Sequence, residues 1–68
     1  MGIEIVINGE RRTTSEGQTL LGLLQELHLD PARVAVELDR RIVKQPLWAS
    51  TEIRAGAQLE IVQFVGGG

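Results

Sequence analysis

Gly2-Ile3-Glu4-Ile5-Val6-Ile7-Asn8-Gly9-Glu10-Arg11-Arg12-Thr13-Thr14 is the stretch that decides the fold. Ile3, Ile5 and Ile7 recur at period two, which puts all three on one face of a strand with a single buried side. Asn8 and Gly9 both tolerate positive φ, the backbone condition of a tight two-residue hairpin turn, so Glu10 to Thr14 is expected to return antiparallel. After the loop Ser15-Glu16-Gly17 the period changes. Leu20, Leu23, Leu24 and Leu27 repeat at three and four, and the hydroxyl of Thr19 is placed to cap a helix running from Leu20 to about Leu27. A hairpin followed at once by a helix with one apolar stripe predicts a helix laid across a sheet.

The rest of the chain supplies strands for that sheet. Asp30-Pro31 breaks the helix, with Asp30 as a cap and Pro31 at the first position of a single turn. Val34, Val36 and Leu38 alternate with Ala35 and Glu37 as a strand, and Asp39-Arg40 turns into a short strand from Arg41 to Lys44. Pro46-Leu47-Trp48 reads as a short helical turn that buries its indole, and Gly56 as a turn glycine. The last strand, Gln58 to Val65, sets Leu59 and Ile61 on one side and Glu60, Val62 and Phe64 on the other. Its apolar residues suit a central place in the sheet, parallel to the first strand, with the helix and the middle strands in the crossover. The expected core is Ile3, Ile5, Ile7, Leu24, Leu27, Val36, Leu59 and Ile61. The fold class is therefore α+β, with one main helix on a mixed sheet of four to five strands. Residues 1–65 form the domain and residues 66–68 a flexible C-terminal glycine tail.

Composition narrows the function classes. With 68 residues there is one core, and a domain of this size buries only roughly 60% of its unfolded surface. No cysteine is present, and 43% of the residues are hydrophobic with two aromatics, Trp48 and Phe64. Such a chain has no volume for a deep active-site cavity, which argues against an independent enzyme. Net charge is −2, and the basic pairs Arg11–Arg12 and Arg40–Arg41 read as solvated hairpin arginines, so no nucleic-acid partner is expected. His28 lacks a Cys, His or acidic partner at ligand spacing, so no metal site is expected; it reads as a cation near the helix C-terminus or an exposed side chain. No signal peptide or membrane-length apolar run occurs, so a cytoplasmic setting without a membrane partner is expected.

Folding does not explain Gly66-Gly67-Gly68. Three glycines pack nothing and carry a large ordering entropy. By itself such a run reads as a frayed terminus, but it follows directly on an amphipathic strand in a chain with no other reactive group. A glycine carbonyl is the least hindered acyl centre in a protein, and three extended residues reach roughly 10 Å, enough to thread a partner's slot. A carboxylate becomes electrophilic once converted to a mixed anhydride, as by adenylation with ATP. A sulfur nucleophile then leaves a thiocarboxylate, whereas a protein thiol or amine leaves a conjugate. The candidate site is accordingly the Gly68 carboxylate, with Gly66 and Gly67 as the threading tail and Glu60, Val62 and Phe64 as the docking surface that leads to it, the alternative for Val62 and Phe64 being scattered surface apolarity.

Ile5-Val6-Ile7-Asn8-Gly9-Glu10, Thr19-Leu20-Leu21-Gly22-Leu23-Leu24, Val34-Ala35-Val36-Glu37-Leu38, Leu59-Glu60-Ile61-Val62 and the glycine terminus together resemble the ThiS family, the sulfur carriers of thiamin synthesis. The resemblance runs the length of the chain. Asp39, Lys44 and Ala57 depart from the Asn, Arg and Asp often found there in the family. The resemblance implies a ubiquitin-like β-grasp fold and a carrier that is a cosubstrate, not a catalyst. It implies that a ubiquitin-activating-like adenylyltransferase uses ATP to adenylate Gly68, the carrier itself binding no cofactor. Sulfur from cysteine, released by a cysteine desulfurase, then gives the thiocarboxylate, which thiazole synthase consumes in building the thiazole ring. Three rivals remain at this point: the small sulfur-carrying subunit of molybdopterin synthase, a ubiquitin-like protein modifier, and a β-grasp interaction module with an incidental tail. The first family usually runs longer and carries more aromatics before its glycines.

Overall fold

The structure, a computed structural model, describes residues 1–65. The tail expected at residues 66–68 lies outside the described residues. Strands β1 (Gly2–Ile7) and β2 (Glu10–Ser15) form the antiparallel hairpin, with Ile7 opposite Glu10 and Ile3 opposite Thr14. Asn8 at φ 51° and Gly9 at φ 82° are both left-handed, the conformation that lets a two-residue turn match the twist of its strands. Helix α1 (Leu20–Glu26) follows, its first turn closed by Gly22 N–H donating to Thr19 Oγ1 at 3.0 Å.

Asp30 caps a 3₁₀ turn over Pro31–Arg33 by accepting from Ala32 N–H at 2.9 Å. Next come β3 (Val34–Leu38) and β4 (Arg41–Val43), joined through Asp39 and Arg40 at φ 49° and 70°. A longer 3₁₀ segment, Gln45–Ser50, carries Trp48 into the core, where its indole N–H donates to the Val43 carbonyl at 2.7 Å. β5 (Gln58–Gln63) completes a five-stranded sheet in the order β2-β1-β5-β3-β4. It pairs parallel with β1 and antiparallel with β3, so the last strand does occupy the centre.

One face of the sheet is covered. Ile5, Ile7, Val34, Val36, Leu59 and Ile61 meet Leu20, Leu23 and Leu24 of the helix, with Trp48, Ile53 and Ala57 filling the ends. Ile3 and Leu27, expected in the core, are half-buried. Leu27 caps the helix C-terminus, and Ile3 is opposite Thr14 of the edge strand, so neither is enclosed on all sides. The last strand is also shorter than its apolar pattern suggests. It ends at Gln63, because its antiparallel partner begins at Val34, opposite Gln63. β4 likewise stops at Val43, one residue before Lys44.

Candidate functional site

Every candidate site residue lies on or after β5. Leu59 and Ile61 face the helix, so the two-residue alternation turns Glu60 and Val62 to the uncovered face of the sheet. Val62 is 57% exposed and Phe64 55% exposed. Glu60 is exposed as well. Phe64 has left the strand, yet its N–H donates to the Arg33 carbonyl at 2.7 Å, so the 3₁₀ turn holds one residue more than the sheet does. Val65 follows at 93% exposure with no hydrogen bond to the domain among those described. Gly66, Gly67 and Gly68 lie outside the described residues.

Register brings residues to this face that the sequence pattern did not single out. Val62 is opposite Ala35, Glu60 is opposite Glu37, and Glu37 is in turn opposite Ile42 of β4, which is 77% exposed. Glu37 and Glu60 are thus two like charges in direct cross-strand register, an arrangement that disfavours the pairing. Among the described residues the one ion pair joins Arg33 Nε to Asp30 Oδ2 at 3.7 Å, so neither carboxylate has a cation within 4 Å. Glu37, Asp39, Arg40, Gln58 and Glu60 line a shallow polar depression on this side. The alternation of Val34 and Val36 already turned Glu37 outward; only the β3–β5 register, set by long-range pairing, placed it beside Glu60.

The opposite side of β5 carries a shallow groove of about 240 Å³ lined by Ile7, Asn8, Arg12, Leu27, Leu29, Ile61 and Gln63. Among the described residues no group of three or more His, Cys, Asp or Glu is placed to hold a metal ion. Among them, too, no helix is long and apolar enough to cross a membrane. His28 is exposed, and its backbone is left-handed at φ 59°.

A single helix packed on one face of a five-stranded mixed sheet, with the central strand running out to an exposed end, defines a ubiquitin-like β-grasp protein. The chain matches the ThiS family over residues 5–68 and belongs to it, a family of sulfur-carrier proteins of thiamin biosynthesis. The crystal structure of a thiamine biosynthesis protein (ThiS) from Geobacter metallireducens superposes with a TM-score of 0.84 at 26% identity, over 97% of this chain and 100% of that one. The sulfur carrier protein ThiS of Escherichia coli strain K12 is 29% identical over 66 residues, 97% of this chain and 100% of its own length. A thiazole synthase of Paramagnetospirillum magneticum is 44% identical over 66 residues, again 97% of this chain. A second thiazole synthase, from Magnetococcus marinus, is 36% identical over the same length. The chain spans 20% of the length of each of these two synthases.

Proposed function

We propose that this chain carries sulfur on the carboxylate of Gly68 for construction of the thiazole ring of thiamin. The observation that carries this reading is that the family match runs through residue 68, and so includes the glycine run, while among the described residues the last one hydrogen-bonded to the domain is Phe64. Beyond Phe64, four residues span at most about 14 Å when extended, enough for the terminus to enter a partner's site while the domain stays outside.

The steps follow from acyl chemistry. A Gly68 carboxylate oxygen attacks the α-phosphorus of ATP and expels pyrophosphate, leaving an acyl-adenylate. A persulfide sulfur, drawn from cysteine by a desulfurase, then attacks the acyl carbon, and AMP departs. Reductive cleavage of the S–S bond by a thiol leaves the terminal thiocarboxylate, with the remaining sulfur as a disulfide. The adenylating enzyme is of the ubiquitin-activating kind and holds the ATP; this chain binds no cofactor and acts as a cosubstrate. Thiazole synthase takes the sulfur, a reading supported by the likeness of this chain to a fifth of two thiazole synthases. The setting is the cytoplasm, where ATP and cysteine are supplied.

Glu60, Val62 and Phe64 form the docking surface in this reading. Val62 and Phe64 supply apolar anchors beside the tail. The Glu37–Glu60 pair, with no cation within 4 Å among the described residues, favours a basic partner surface, which speeds encounter and fixes orientation. The test is mass spectrometry of the chain after incubation with ATP, the activating enzyme, cysteine, desulfurase and a thiol. The expected product shows one oxygen exchanged for sulfur at Gly68, and thiazole synthase with its other substrates then consumes it. Labelling at any other residue, or none, contradicts the proposal.

A further inference from the structure

Asn8 occupies the first position of the β1–β2 turn, but its side chain serves a strand 53 residues away. Its Nδ2 donates to the Ile61 carbonyl at 3.0 Å, and its Oδ1 accepts from Ile61 N–H at 2.8 Å. The ladder explains why these two groups need a partner. Asn8 N–H donates to the Leu59 carbonyl at 2.8 Å, continuing the parallel β1–β5 pairing. Had β1 run on, Ile61 N–H would have met the carbonyl of residue 8, and its carbonyl the N–H of residue 10. The tight turn at Asn8-Gly9 takes both backbone groups away, and one carboxamide replaces both. On the other flank β3 pairs with β5 as far as Val34 opposite Gln63, and the Arg33 carbonyl holds Phe64 N–H.

We propose that Asn8 is a positioning residue for the reacting terminus: its carboxamide fixes the end of β5, and with it the direction in which Val65 leaves the sheet. The inference rests on the reading that Gly68 is the reacting group. Without the carboxamide, β5 beyond Leu59 keeps backbone hydrogen bonds on the β3 side alone, with Ile61 still packed on the core. The strand end then pivots on that one edge, and a small change of angle at Ile61 is carried along the chain to Val65, which leads into the reacting terminus. Glu60 and Val62 stay paired with β3, so docking is preserved while the terminus is misdirected.

Asn8→Gly is the decisive variant, because glycine accepts the positive φ of the turn while the carboxamide is lost. Thr19→Ala, which removes the cap of α1, is the control for a simple loss of stability. All chains are compared at a temperature where circular dichroism shows each fully folded. In Asn8→Gly the amide of Ile61 loses hydrogen-exchange protection, and the residual dipolar couplings of Phe64 and Val65 shrink towards zero. In Thr19→Ala both stay as in the parent. Asn8→Asp gives a pH readout: the protonated acid still donates to the Ile61 carbonyl, whereas the ionised one turns negative charge towards it. Parent-like couplings are therefore expected below the pKa of that acid, and shrunken ones above it. With the activating enzyme and saturating ATP, Asn8→Gly is expected to lower kcat for ATP–pyrophosphate exchange about tenfold with KM within about twofold, the pattern of misplacement and not of lost binding. Parent-like couplings at Val65 in Asn8→Gly, or an unchanged kcat once those couplings have collapsed, overturns the assignment. A parent chain that is not activated at all sinks the sulfur-carrier reading instead, and the couplings still decide what Asn8 does.

Discussion

His28 is a residue whose backbone and side chain are at odds. Leu29 N–H donates to the Leu24 carbonyl at 2.9 Å and His28 N–H to the Gln25 carbonyl at 3.0 Å, the paired bonds that close a helix through a left-handed residue. Glycine usually fills that position, and a Cβ there costs about 1–2 kcal/mol. The helix end was legible from Asp30-Pro31, but its geometry was not, since neither Gly nor Asn marks residue 28. His28→Gly is expected to raise stability by about 1 kcal/mol in urea unfolding, the greater freedom of glycine in the unfolded chain offsetting part of the relief. The buried leucines behave in the opposite way. Leu24 is fully enclosed between helix and sheet, so Leu24→Ala is expected to cost about 3 kcal/mol in the same measurement.

Strand β5 shows how far an element is legible before its neighbours are known. The alternation of Leu59 and Ile61 against Glu60 and Val62 is local, and it gave the buried and open faces correctly. The end at Gln63, the Glu37–Glu60 register and the Asn8 bonds to Ile61 depend on pairings far apart in sequence, which periodicity does not encode. Glu60→Gln tests the like-charge pair with two effects of opposite sign. Removing one charge is expected to raise stability by about 0.3 kcal/mol, because cross-strand repulsion is relieved. The same change is expected to slow association with the activating enzyme in stopped-flow measurements at low salt, because steering is weakened. Phe64→Ala, at a residue already outside the sheet, is expected to leave the melting temperature unchanged and raise Kd for that enzyme in isothermal titration. Unaltered affinity would move the docking surface elsewhere.

On the scale of the whole molecule, the described core and the proposed reacting group lie apart along the chain. Every residue of the described core lies between Ile5 and Ile61, and among the described residues the hydrogen bonds to the domain reach Phe64. The domain was legible because hairpin turn, helix cap and strand periods agree with one another along the chain. The tail at residues 66–68 was singled out for the opposite reason, as a segment that no packing argument accounts for, and it lies outside the described residues. The central claim is that the Gly68 carboxylate is the reacting group, and deleting Gly67 and Gly68 tests it most directly. ATP–pyrophosphate exchange by the activating enzyme is measured on the parent and the shortened chain, with melting temperature recorded for both. The account predicts equal melting temperatures and exchange with the parent alone; exchange sustained by the shortened chain would contradict it.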